Sequence, residues 1–94
     1  MSDVITEAIN NKKRLYVTYN GAQRLIEPHT YGYDSSGTLK LRAFQVSVDP
    51  ELNGWRMFSV NKMTEIKVIE EIFASPQPGY KREDSNIVRI QAQL

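Results

Sequence analysis

Cysteine is absent from the 94 residues, which excludes disulfides, thiolate metal sites and a cysteine nucleophile, and suits a reducing compartment. Histidine is nearly absent too. The single His29 has no H-x-x-H or H-E-x-x-H partner, so no imidazole pair is set up to hold zinc. Neither a G-x-x-x-x-G-K-[ST] loop nor a G-x-G-x-x-G turn is present to cradle phosphate. No apolar run approaches the ~18 residues of a membrane span, and the opening MSDVITEAIN carries acids where a signal peptide carries positive charge. These absences point to a cytoplasmic, non-enzymatic protein with no metal, no cofactor, no catalytic residues and no membrane partner. An excess of charge is missing as well. Twelve Lys and Arg stand against eleven Asp and Glu, for a formal charge of +1, so any binding of polyanions has to come from local clustering.

A short helix opens the chain. In SDVITEAINNKKR, Val4, Ile5, Ala8 and Ile9 share one side, and Ser2 or Asp3 supplies the N-cap. The next segments are β in character. RLYVTY is rich in β-branched and aromatic residues, Asn20-Gly21 is a hairpin signal, and QRLIEP returns until Pro28 removes a ladder donor. A DSSG turn at 34–37 leads into a long third strand over 38–48, DPELNG is a loop, WRMFSV is a fourth strand, NKMT a tight turn and EIKVIE a fifth. FASPQPGYKRED reads as an irregular arm, and SNIVRIQAQL fits a strand or a short helix, with a lean towards a helix capped by Asp84 or Ser85.

One helix and five short strands are too little for a sandwich. The expected fold is mainly β with one N-terminal helix: a five-stranded, strongly bent antiparallel SH3-like or Sm-like half-barrel, plus a C-terminal arm. Residues 1–70 make the helix and barrel, and 71–94 make an arm and tail that dock on the same domain.

The stretch GTLKLRAFQ carries the functional question. Period-two geometry sends Leu39, Leu41 and Ala43 one way and Lys40, Arg42 and Phe44 the other. Arg24 and Arg56, on neighbouring strands, then complete a set of four cations expected on one curved face. Ordinary solubility, with cross-strand partners such as Glu27, is the competing account. Tyr31 and Tyr33, beside a turn, are the aromatics expected to be exposed enough for stacking.

A helix, a strand ending in Tyr19, an Arg24-x-Ile26-x-Pro28 return, a turn with Gly37, Leu41 and finally RMFSVNKM together resemble the WYL domain over residues 3–70. The R-x-F-R-L-x-R-I run typical of that family is matched by Arg56, Phe58, Val60, Lys62 and Met63. Ser59 and Lys62 stand where arginines are usual, and Leu39 and Lys40 replace the Trp and Tyr of the naming triplet. The resemblance implies a Sm-like barrel from a bacterium or phage that senses nucleic acid or nucleotide-like ligands in transcription regulation or defence. With no room for a helix-turn-helix before residue 14, it implies a standalone module or a part of a longer regulator. Carried over residue by residue, the ligand contacts are Tyr19, Arg24, Arg56 and Lys62. Lys40 and Arg42 come from the strand pattern itself. The expected partner is single-stranded RNA or DNA or a nucleotide-like ligand. The alternative is a protein-interaction or oligomerisation domain, with a second copy or a regulatory protein as partner.

Overall fold

A computed structural model describes residues 3–47 and 49–94. The first helix, α1 (Val4–Asn10), begins where Asp3 Oδ1 accepts the backbone N–H groups of Ile5 at 3.0 Å and Thr6 at 3.3 Å. These are the orphan donors that a cap satisfies. Ser2, the other cap candidate, lies outside the described residues. Ile5, Ala8 and Ile9 are buried while Val4 sits at the rim. Seven residues cannot hold a helix alone, so packing on the sheet stabilises it.

Two strands follow, β1 (Lys13–Tyr19) and β2 (Ala22–Tyr33). They turn at Asn20 and Gly21, whose φ values of 50° and 75° suit the tight hairpin. β2 is the spine of the molecule. Along Ala22–Ile26 it pairs with β1, along Thr30–Tyr33 with the last strand, and on its other edge with β3 (Leu39–Val46). The strand does not end at Pro28 as expected. Between Ile26 and Thr30 that edge of β2 has no ladder partner, and the register with β3 shifts between Pro28 and Thr30. A missing N–H therefore costs little at the bend.

The turn into β3 is tied by Asp34, whose Oδ1 accepts from Ser36 N–H, Thr38 N–H and the Ser36 hydroxyl. β4 (Gly54–Ser59), one 3-10 turn at Val60–Lys62 and β5 (Met63–Ile72) complete the main sheet. Its order is β4-β3-β2-β1-β5, with β6 (Arg89–Gln93) joined to β2. The sheet is a bent, open half-barrel whose edges are β4 and β5.

β6 overturns the lean towards a C-terminal helix and raises the strand count from five to six. The far half of β2 needs an edge partner, and the β-branched Ile87, Val88 and Ile90 suit a strand better than their spacing suits a helix. Val88 N–H on Tyr33 O and Leu94 N–H on His29 O extend the ladder at both ends.

Inside the bend, Leu15, Val17, Ile26, Leu41, Ala43 and Phe58 meet the helix and Ala92. Outside it, the segment after β5 crosses back over the sheet. Phe73, Tyr80 and Trp55 surround His29 there, so the arm is packed rather than free. Among the described residues no helix is long and apolar enough to cross a membrane.

Candidate functional site

Residues paired across antiparallel strands share a face, and this places each candidate. Arg24 pairs with the buried Val17, and Arg56 with the buried Ala43, so both lie on the inner side of the bend. Lys40 pairs with Ser59 and Arg42 with Met57, on the opposite parity from Leu41. The four cations therefore split two and two, which overturns the expectation of a single face. Parity is the cause: Arg24 is in step with Ile26 and Arg56 with Phe58, both core residues.

The inner set is the better built. The Arg24 guanidinium lies 5.5 Å from the centre of the Tyr19 ring and 5.9 Å from that of Phe58, and the two rings meet edge to face at 4.9 Å. The Tyr19 hydroxyl accepts the Ser59 N–H at 3.2 Å, which fixes the ring. Arg24 Nη1 donates to Gln45 Oε1 at 3.4 Å, and Gln45 Nε2 donates to the Leu52 carbonyl at 2.9 Å. That same carbonyl accepts Arg56 Nη2 at 3.1 Å, bringing the second guanidinium to the same place. Among the described residues neither arginine has a carboxylate partner. Arg24 Nε is buried with no acceptor. Lys62, exposed at the end of the 3-10 turn, stands next to Met63, which pairs with Tyr19. Gln45 was not anticipated from the sequence, although a polar residue in step with Leu41 and Ala43 was a signal.

The outer set is largely spoken for. Lys40 Nζ donates to Ser59 Oγ at 2.8 Å, and Arg42 Nε donates to Asp84 Oδ2 at 2.7 Å. Burial works against the ionised Asp84, but Arg42 and the Asn86 N–H outweigh it and hold the carboxyl below its usual range. Two cavities nevertheless lie here. One of about 470 Å³ lies between Arg42, Trp55, Tyr80 and Arg82, and one of about 360 Å³ between Asp34, Lys40, Arg42 and Met57. Volume alone does not make them anion sites, because Asp84 and Asp34 bring negative charge into each. Of the two stacking candidates, Tyr31 is buried at 5% exposure and its ring is not available. Burial first, then the Asp3 carboxylate, raises its phenol pKa well above normal. Tyr33 is half-buried with the Arg89 guanidinium 5.2 Å from its ring centre.

His29 is fully buried and holds the arm. Its Nε2 accepts the Gln77 N–H at 3.1 Å, so the proton sits on Nδ1, which donates to the Glu27 carbonyl at 2.7 Å. Glu27, equally buried, accepts Gln77 Nε2 and Arg14 Nε. Desolvation lowers the His29 pKa despite the nearby Glu27. The unfolded chain then takes up a proton near pH ~6.5 that the folded chain refuses. Stability should hold above that pH and fall as pH drops below it, by up to about 1.4 kcal/mol per pH unit until the folded pKa is reached. Urea melts across that interval check the slope, and a His29→Gln variant should lack it.

Compared with protein-family models, with curated proteins and with solved structures, the chain matches none.

Proposed function

We propose that the chain is a non-catalytic regulatory binding module that holds single-stranded nucleic acid or a nucleotide-like ligand by its phosphate, at the inner site of Tyr19, Arg24 and Arg56, with Lys62 at the rim. One observation carries the reading: Arg24, through Gln45, and Arg56, directly, both reach the Leu52 carbonyl, neither has a carboxylate partner among the described residues, and Arg24 lies against the Tyr19 and Phe58 rings. Arginine forks bind phosphate bidentately, whereas the lysine supplies charge without a fork. These are the four positions that the WYL resemblance carries over, which supports the same reading independently of the geometry. Lys40 and Arg42 play a lesser part, since Arg42 has to leave Asp84 before it can take a phosphate.

Fluorescence anisotropy with short single-stranded RNA, DNA and nucleotides, at low and at high salt, tests it. Arg56→Gln should weaken binding about tenfold, the worth of one charged hydrogen bond, and should flatten the salt slope by about 0.7 for single strands. Arg24→Lys keeps the charge but loses the fork and should also weaken binding. A parent protein that binds none of these ligands, or an Arg56→Gln variant that binds as the parent does, overturns the proposal.

A further inference from the structure

β5 is a ten-residue strand that pairs with β1 on one edge, and among the described residues no strand pairs with the other. Open edges are templates for another strand, and proteins usually blunt them with prolines, bulges, lysines or brevity. β4, the opposite edge, is only six residues long. β5 is long, has no proline, is regular from Glu65 to Val68, and exposes Ile66 at its middle. Irregularities lie on either side of this stretch, between Met63 and Glu65 and between Val68 and Ile72, and within it the one edge device is Lys67.

We infer that the β5 edge joins a second copy of this chain, strand against antiparallel strand, with the two-fold axis at Ile66. The symmetry narrows the choice of register. An antiparallel two-fold stands perpendicular to the sheet, so each residue must face one of its own parity and the axis must pass through a residue. An axis at Ile66 sets Glu65 against Lys67 of the second copy twice over, Ile66 against itself, Thr64 against Val68 and Met63 against Ile69. An axis at Glu65 or Lys67 sets like charges against each other, and one at Val68 sets Glu65 against Glu71. An axis at Ile69 would oppose Lys67 to Glu71, but Glu71 is already bonded to Arg14 at 2.7 Å, and Val68 would then face Glu70.

Among the described residues Glu65 and Lys67 have no ion partner within their own chain. Both lie on the outer surface with their β1 partners Thr18 and Tyr16, while the exposed Ile66 between them is on the inner side with Val17. The lysine that would guard an isolated edge is thus answered by the strand's own glutamate. β5 shares its inner face with the arginine site, through Met63 beside Tyr19 and Ile66 in one row with Val17 and Arg24, but Glu65 and Lys67 face the other way, so the variants that test one proposal leave the other untouched.

Sedimentation equilibrium on the full chain over a range of concentrations is the test. The parent should be a reversible dimer. Lys67→Glu, which turns both cross-strand pairs into repulsions, should weaken it at least about tenfold. The charge swap Glu65→Lys/Lys67→Glu restores opposite charges across the axis and should restore the dimer. Because all these substitutions are at exposed positions, melting temperatures taken at concentrations where parent and variants are monomeric should agree closely. A parent that stays monomeric, a Lys67→Glu variant that dimerises unchanged, or a swap no better than the single change each overturns the inference.

Discussion

A chain cut after Phe73 should fail to fold into the barrel, losing its cooperative melt and scattering light as it aggregates. The cut removes β6, and with it the buried Ile87 and Ala92 and the ladder along Thr30–Tyr33. It also strips Gln77 from Glu27 and His29, and Tyr80 from the His29 ring. Glu27, His29 and Thr30 are among the most deeply buried groups in the molecule. Losing one buried aliphatic side chain costs about 1.5–3 kcal/mol, and stranding buried polar groups costs about 1–3 kcal/mol each. Together these rival a whole-domain stability of about 5–15 kcal/mol. Circular dichroism melts and light scattering decide the matter. A truncated chain that scatters no more light than the parent and melts like it would mean the arm and tail are a solvated linker.

Of the five glycines, Gly32 should tolerate an added methyl group least. A Cβ there would sit 2.2 Å from the Arg89 carbonyl oxygen, 2.9 Å from its carbon and 2.8 Å from Ile87 Cγ2. Two of those atoms are backbone and cannot swing aside, so β6 has to move off β2. Overpacking of this kind costs about 1–3 kcal/mol, occasionally more, and the upper end is expected here. The register between β2 and β6 shifts at this same place, between Tyr31 and Gly32. Gly37→Ala is the contrast: nothing lies within 4 Å, and the cost arises only from its φ of +83°. Urea titration gives both numbers, and hydrogen exchange at Arg89–Gln93 should speed up only in the first variant. If Gly32→Ala is as stable as the parent, β6 is not seated against β2 as described.

What the chain disclosed in advance was mostly local. The Asp3 cap, the Asn20-Gly21 hairpin and the Asp34–Gly37 turn depend on residues within four positions of each other, and each forms as the pattern requires. Pro28 misled because its cost depends on what lies beside it, and a bend between two partners is a distant circumstance. β6 misled for the same reason: its partner is far away in sequence, and its own spacing fits either structure. The candidate site is a different case. Lys40 and Arg42 stand opposite Leu41 as their alternation requires, but strand adjacency does not decide the face of Arg24 and Arg56, which follows from their step with Ile26 and Phe58. The parity was in the sequence all along. Gln45 bridging Arg24 to the Leu52 carbonyl depends on a loop conformation that no local rule gives.

Because β2 serves two partners in succession, its halves should form at different times. The β1–β2 hairpin closes through two residues and belongs to events of about 1–10 μs. Its other half must wait for Arg89 to find Tyr33 across most of the chain, and loop-closure entropy makes such a contact slow to nucleate. Folding therefore runs from the hairpin end of the spine to its far end, with a transition state already native-like at Ala22–Ile26 and still open at Thr30–Tyr33. Substitutions in β6 should then speed unfolding while leaving the folding limb almost untouched.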